Sequence, residues 1–307
     1  MLIALSIVIF GLAHAAPGDP FTGKILDPDV DPKIFDEQRK ELGLDKPVPV
    51  QYLNWVGSFL KGEFGESITF KGRSVKSLIV ERFGNTVRLG IVALFITLVV
   101  SIPIGLYSAR KPYSVLDYGA TAFGFMGLAI PNFFFGLIAI YIFSIKLGWF
   151  PAQGTISGTN ITGFKEIIDR AHHLVLPGIT LGLAGTASYM RYMRSEVLDV
   201  FGSDYIRTAR AKGMSERSVL YKHTLRNALI PIITLMGFEL GALVGGAIIT
   251  EQVFNFPGLG TLFINSVVNR DYPVVMAISL FLGVAILVGN LLADIFYSIV
   301  DPRIRYD

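Results

Sequence analysis

Long stretches without a charged residue constrain the fold of this 307-residue chain more than any other feature. The uncharged runs are residues 89–109, 118–145, 174–190 and 273–293; residues 227–250 carry one charge, Glu239, and residues 1–16 are apolar apart from His14. Since a helix rises about 1.5 Å per residue, about 20 apolar residues cross the hydrocarbon core of a bilayer. The sequence therefore predicts an all-α, polytopic membrane protein with six transmembrane helices.

The basic residues predict how these helices are oriented. Residues 110–116, 191–226 and 301–307 together hold twelve Lys and Arg residues, whereas the short loops of the opposite set and their flanks hold four. Because Lys and Arg accumulate on the cytoplasmic side, the first set and both termini are predicted to be cytoplasmic. The formal charge of +3 does not indicate a nucleic-acid partner, because the basic residues flank the spans and form no separate face.

Three regions follow from this pattern: a first transmembrane helix at 1–16, an extracellular segment at 17–83, and a core at 84–307 with helices 2–6. The first helix has an alternative interpretation as a cleaved signal peptide, because Ala13-His14-Ala15 resembles a cleavage site. We adopt the retained helix. In the extracellular segment we expect an ordered structure, with helices at 36–42 and 50–60 and a turn at 62–65, since aromatic residues recur on one helical face. The outer loop 148–173 is predicted to be irregular.

The largest cytoplasmic connection, residues 191–226, is too long for a simple turn. Its pattern predicts one helix at 195–212, a C-terminal cap at Gly213, and a second helix that starts after the N-cap Ser215 with Glu216 in its first turn. The product is a helix–glycine–helix elbow at about 195–226, a shape suited to docking into a groove of a cytoplasmic partner. The alternative is a solvated basic connection held by anionic lipid.

Several motifs resemble a known family. The run Asp204-Tyr205-Ile206-Arg207-Thr208-Ala209-Arg210-Ala211-Lys212-Gly213, with Leu225 twelve residues beyond the glycine, resembles the cytoplasmic signature of ATP-binding-cassette (ABC) importer permeases. The chain departs from the general pattern at Arg207, Thr208 and Arg226, as the oligopeptide, dipeptide and nickel branch does. Further similarities to that branch are Pro17-Gly18-Asp19-Pro20, Gly62-Glu63-Phe64-Gly65, Gly148-Trp149-Phe150-Pro151, Glu251-Gln252-Val253-Phe254-Asn255-Phe256-Pro257-Gly258, Arg270-Asp271-Tyr272-Pro273 and Asp301-Pro302-Arg303.

The resemblance implies a type I ABC importer permease fold in the cytoplasmic membrane of a prokaryote. It implies a second homologous permease, two cytoplasmic ATPase subunits, an extracellular solute-binding protein and membrane lipid as partners, and a peptide substrate. The residues it implies for coupling to the ATPase are Asp204, Tyr205, Arg207, Thr208, Ala209, Ala211, Lys212, Gly213 and Ser215. The chain contains no Walker A sequence and no nucleophile–base arrangement, so we expect no catalytic residue and no enzyme activity; ATP and magnesium are expected on the partner ATPases.

Other residues and functions remain open at this stage. Glu239 is a candidate translocation-path residue or a hydrogen-bonding residue of a packed helix interface, and Asn132 is a second path candidate. We expect no metal site, because the neighbouring His172 and His173 project in different directions from a helix. The alternative substrates within the same branch are nickel and oligosaccharides. A secondary transporter or channel that works alone is the other class; its usual charged or broken helices in matching halves are not evident.

Overall fold

The computed structural model describes the backbone of residues 1–15, 43, 45–158 and 160–300, and the side chains within these ranges except those of 234, 237–246, 293, 294 and 296–300. Within these ranges every regular element is a helix, and the one isolated bridge joins Glu66 and Ser74. The predicted all-α class is confirmed.

The described helices follow one another along the chain with short connections. They are α1 Leu2–Ala15, α2 Val48–Leu60, α3 Val75–Arg110, α4 Val115–Ala129, α5 Asn132–Ala139, α6 Phe164–Gly202, α7 Asp204–Ala211, α8 Glu216–Ser218, α9 Arg226–Val253, α10 Leu259–Val268 and α11 Tyr272–Val300. A π-helical stretch, Ile140–Lys146, extends α5, and a second one, Val219–Leu225, joins α8 to α9.

Two helical segments, Val75–Arg110 and Tyr272–Leu292, are each long and apolar enough to cross a membrane by length and composition. The pair formed by α4 and the extended α5 meets the same criterion together, which gives up to three spans among the described residues. The apolar part of α6 contains Thr180, Gly182 and Thr186, which lower its hydropathy, and side chains in the middle of α9 lie outside the description. The count of six transmembrane helices therefore stays a prediction.

The predicted third span, residues 118–145, is bent. Helices α4 and α5 meet at an angle of 105° across Ile130 and Pro131. Ile130 has extended backbone angles, φ −84° and ψ 123°, because the ring of a following proline disfavours the helical conformation. A single straight span at 118–145 was therefore a wrong prediction.

One compact unit consists of Met1–Asn85 and Gly258–Ala285. The buried Asp271 accepts hydrogen bonds from the Ser67 hydroxyl and from the backbone N–H groups of Ile68, at 3.2 Å, and Thr69, at 3.0 Å, which fixes the turn before α3 to the start of α11. The helix predicted at 50–60 is confirmed as α2, and glycines with positive φ form the turn at 62–65. The helix predicted at 36–42 lies outside the described residues.

The other compact unit consists of Thr86–Pro257 and Ile286–Asp307, and its longest helix, α6, contacts α4, α5 and α9. Helices α3 and α6 approach so closely that a Cβ added at Gly182 would lie 2.8 Å from the Ala93 carbonyl oxygen. The Thr97 hydroxyl donates to the Gly182 carbonyl at 3.1 Å across the same contact. The outer loop is irregular as predicted up to Gly163, but the prediction was wrong beyond it, because α6 begins at Phe164.

Candidate functional site

The predicted elbow begins with a break in the helix. The single helix predicted at 195–212 was wrong: α6 ends at Gly202 and α7 begins at Asp204. Ser203 between them is extended, with φ −74° and ψ 149°, and its hydroxyl donates to the Val200 carbonyl at 2.6 Å. Glycine followed by serine and aspartate is a common helix stop and restart, so the sequence did carry a signal for this break.

The turn after α7 depends on Gly213. Its φ of +75° is in the left-handed region, which favours glycine. The Gly213 N–H donates to the Arg210 carbonyl at 2.9 Å, and the Met214 N–H donates to the Ala209 carbonyl at 3.3 Å. This pair of bonds is the Schellman motif, which satisfies carbonyls at the end of a helix. The predicted C-terminal cap at Gly213 is confirmed.

Polar contacts close the elbow on the far side of the turn. The Ser215 hydroxyl accepts from the Ser218 N–H at 3.3 Å, as expected of an N-cap. The Arg210 guanidinium donates to both carboxylate oxygens of Glu216, at 2.9 and 3.2 Å, and lies 5.4 Å from the ring centroid of Phe201. Arg210 thus links the end of α6, α7 and α8.

The inner face of the elbow is apolar. Ile206, Ala209 and Val219 are buried together, and Phe201 and Met214 pack against them. Ala209 was predicted as a coupling residue, and the structure places it on this inner face, only 7% exposed. Its side chain therefore sets the shape of the elbow and does not lie on the elbow's surface.

The outer face carries the other residues that the sequence assigned to coupling. All of them are exposed: Asp204, Tyr205, Arg207, Thr208, Ala211, Lys212, Gly213 and Ser215. The Arg207 guanidinium lies 3.4 Å from the Asp204 carboxylate, and the Thr208 hydroxyl donates to the Asp204 carbonyl. This outer face is a mixed polar surface with a small apolar component from Tyr205 and Ala211.

The elbow is rooted in the core of its own unit. Leu220, in the second π-helical stretch, is buried against Met193 and Val197 of α6 and against Ala228 and Ile232 of α9. Leu106 of α3 belongs to the same apolar cluster. Because close-packed side chains transmit displacement, a movement of the elbow is passed to these helices.

A buried ion pair ties α6 to the preceding cytoplasmic connection. Asp117, in the first turn of α4, accepts two hydrogen bonds from the Arg194 guanidinium, at 2.7 and 2.8 Å. It also accepts from the Ser108 hydroxyl at 2.7 Å and from the Tyr113 N–H at 2.9 Å. Sequence analysis counted Arg194 only as a basic residue and missed this site, because its partners are 77 and more positions away or on other helices.

A second acidic group lies on the predicted cytoplasmic end of α6. Burial raises the pKa of Glu196 above its usual range, and the negative charge of Asp199 raises it further. Because the folded state favours the protonated form, the contribution of Glu196 to stability is complete below its unfolded pKa and declines as pH rises through the folded pKa.

The two candidate path residues have different standing. Asn132 is the first residue of α5, directly after the bend, and its side chain is half-buried. Glu239 is in α9, but its side chain lies outside the described residues. Their assignment to a translocation path stays a prediction.

The two neighbouring histidines are engaged with the backbone. The His172 Nε2–H donates to the Trp149 carbonyl at 2.7 Å, and the His173 Nδ1–H donates to the Asp169 carbonyl at 2.8 Å. Asp169 itself accepts from the Ser157 hydroxyl and N–H, both at 2.7 Å, and these bonds hold its pKa below its usual range. Both histidines therefore serve to attach the outer loop to α6.

Comparison with known proteins gives the class of this chain. Residues 101–306 match the family model "Binding-protein-dependent transport system inner membrane component", and residues 1–90 match the model of the N-terminal part of such membrane components. The chain belongs to this family and is a membrane-embedded permease.

The full-length relatives include three bacterial transport permeases. The oligopeptide transport system permease protein AppB of Bacillus subtilis is 49% identical over 100% of this chain and 96% of its own length. The dipeptide transport system permease protein DppB of Escherichia coli K12 is 36% identical, and the glutathione transport system permease protein GsiC of Salmonella choleraesuis is 37% identical; each comparison covers 99% of this chain and 95% of the relative.

Two solved structures share the fold. The inward-facing MetNI methionine ABC transporter matches 73% of this chain and 96% of its own, with a TM-score of 0.57 and 18% identity. An amino acid ABC transporter matches 72% of this chain and 92% of its own, with a TM-score of 0.53 and 18% identity. The expected type I importer permease fold is confirmed.

Proposed function

We propose that this chain forms half of the translocation path of a peptide importer and that its elbow couples the path to ATP hydrolysis by partner subunits. The full-length similarity to permeases named for oligopeptide, dipeptide and glutathione transport supports peptides as the substrate class. The elbow carries the coupling assignment. Its interior is closed by its own side chains, while nearly all of the predicted coupling residues lie exposed on its outer face.

The proposed complex contains this chain, a second homologous permease, two ATPase subunits and a solute-binding protein, in the cytoplasmic membrane of a prokaryote. The ATPase subunits bind ATP and magnesium, and the permease itself does not hydrolyse ATP. The outer face of the elbow docks on an ATPase subunit. When the ATPases close, the elbow moves, and the apolar cluster around Leu220 passes the movement to α6 and α9.

The coupling role is tested by the pair Gly213→Val and Gly213→Asn. An added Cβ meets no atom within 4 Å, so both variants change mainly the backbone preference. A β-branched residue at this positive φ costs about 1–2 kcal/mol, whereas asparagine tolerates it. We expect peptide uptake and ATP hydrolysis stimulated by the binding protein to fall roughly tenfold for Gly213→Val and to remain near wild type for Gly213→Asn.

Both measurements are made on complete complexes in proteoliposomes, with equal amounts of inserted permease verified beforehand. Full uptake by Gly213→Val would contradict the coupling role. The substrate class is tested in the same vesicles with a labelled peptide in competition with nickel and with an oligosaccharide. Competition by either of these at the level of an unlabelled peptide would contradict the peptide assignment.

A further inference from the structure

We propose that α2 lies along the surface of the lipid bilayer, with Leu53 and Leu60 inserted at the boundary between headgroups and acyl chains. Helix α2 spans Val48–Leu60 and contains no acidic or basic residue, yet none of its residues is buried among the described residues. A 13-residue helix of this composition needs a covering for its apolar surface.

One face of α2 is occupied by α1. The Tyr52 hydroxyl lies 2.8 Å from the Ser6 hydroxyl, which itself donates to the Ile3 carbonyl, so Tyr52 is the donor. The Phe10 ring packs against Tyr52 at 5.4 Å and against Trp55 at 5.7 Å between ring centroids. This aromatic face therefore attaches α2 directly to α1.

A different face of α2 is apolar and open. Leu53 and Leu60 are seven residues apart, so they share one side of the helix, and they are 67% and 81% exposed. Val50 is also exposed. The polar residues Gln51, Asn54 and Ser58 form a separate narrow stripe. The helix thus has an aromatic face towards α1, an aliphatic face and a polar stripe.

Three observations identify lipid as what covers the aliphatic face. The exposed lysines Lys46 and Lys61 flank the uncharged helix, at positions where their charges can reach anionic headgroups. Tyr and Trp side chains are enriched at the level of the headgroups. Helix α1, to which α2 is attached, presents the exposed apolar residues Ile3, Ile7 and Leu12, which face lipid in a membrane permease. The aliphatic face of α2 continues this surface.

The depth of α2 can be measured with spin labels at single cysteines, because the chain contains no cysteine. We would label Leu53→Cys and Leu60→Cys, with Asn54→Cys on the polar stripe as the matched control. The full chain is assembled with its partner subunits in nanodiscs of phosphatidylethanolamine and phosphatidylglycerol. We expect the ratio of collisions with oxygen to collisions with a nickel chelate to be at least threefold higher at 53 and 60 than at 54.

Three outcomes would overturn the proposal: equal ratios at all three positions, immobilisation of the 53 and 60 labels only after the solute-binding protein is added, or dipolar broadening between labels of two copies. A second measurement leaves both leucines in place: in a Trp149→Phe chain, brominated lipids should quench the fluorescence of Trp55, and absence of quenching would also overturn it. Neither measurement depends on transport, so failure of the coupling proposal would leave these results unchanged.

Discussion

At the scale of single residues, Asp117 is the most demanding group of the described core. Its carboxylate is 3% exposed and depends on four hydrogen bonds from three residues for its solvation. Arg194 supplies two of them in a fork geometry that lysine cannot reproduce. Because a buried charge without its partner is very costly, this pair has to be retained or lost as a unit.

This dependence predicts a large loss of stability for Arg194→Ala. We expect the free energy of unfolding to fall by about 2–3 kcal/mol, less than for a fully buried pair because the Arg194 side chain is 30% exposed. The double variant Asp117→Asn, Arg194→Ala should lose less, since it leaves no unpaired carboxylate. The loss is measured from unfolding of the purified permease in detergent, and equal losses in the single and double variants would contradict the argument.

Residue-level predictions from sequence were correct where the determining chemistry is local. Gly213 and Ser215 were recognised because positive φ and N-capping are properties of one residue and its immediate neighbours. The Asp117–Arg194 pair was not recognised, because nothing in the sequence says which loop charge meets which helix 77 positions away. The Ser67–Asp271 contact was missed for the same reason.

At the scale of helices, the contact of α3 with α6 leaves no room for a side chain. The Gly182 position is 2.8 Å, at Cβ, from both the Ala93 carbonyl oxygen and the Thr97 hydroxyl oxygen, and backbone atoms cannot move aside as a flexible side chain can. The two helices are therefore held together by a fixed backbone contact.

We accordingly expect Gly182→Ala to lower the free energy of unfolding by about 1–3 kcal/mol, the usual cost of overpacking. Gly202→Ala is the matched control at the end of the same helix, where an added Cβ meets nothing within 4 Å. It should leave stability unchanged or raise it by less than about 1 kcal/mol. Thermal unfolding in detergent compares the two, and equal midpoints would refute the close contact.

The boundaries of helices were predicted less well than their existence. The bend at Pro131 and the break at Ser203 both carry ordinary local signals, but the surrounding apolar or helical pattern was continuous and was given more weight. Tertiary packing decides between such competing signals. A sequence pattern alone does not reveal which one prevails.

At the scale of the whole molecule, the orientation in the membrane is open to direct measurement. The basic residues predict residue 212 in the cytoplasm and residue 45 outside, and both Lys212 and Asp45 are exposed. In intact cells, a membrane-impermeant maleimide should label Asp45→Cys and leave Lys212→Cys unlabelled until the membrane is opened. Labelling at 212 alone would reverse the orientation.

The class of the molecule was predictable because apolar length and motif order are properties of the whole sequence. The number of spans was less accessible. A helix such as α6, which packs on α3, α4, α5 and α9, uses small and weakly polar residues for close contact and loses the hydropathy that identifies a lipid-facing span.

The self-contained interior of the elbow has a consequence for how such permeases diversify. Ile206, Ala209, Val219, Phe201 and Met214 all come from one segment of twenty consecutive residues, so the segment defines its own shape. The exposed positions around it are then free to change with the surface of the partner while the scaffold stays the same. In evolutionary terms the elbow is a cassette: a permease can be re-matched to a different motor by exchanging this one segment.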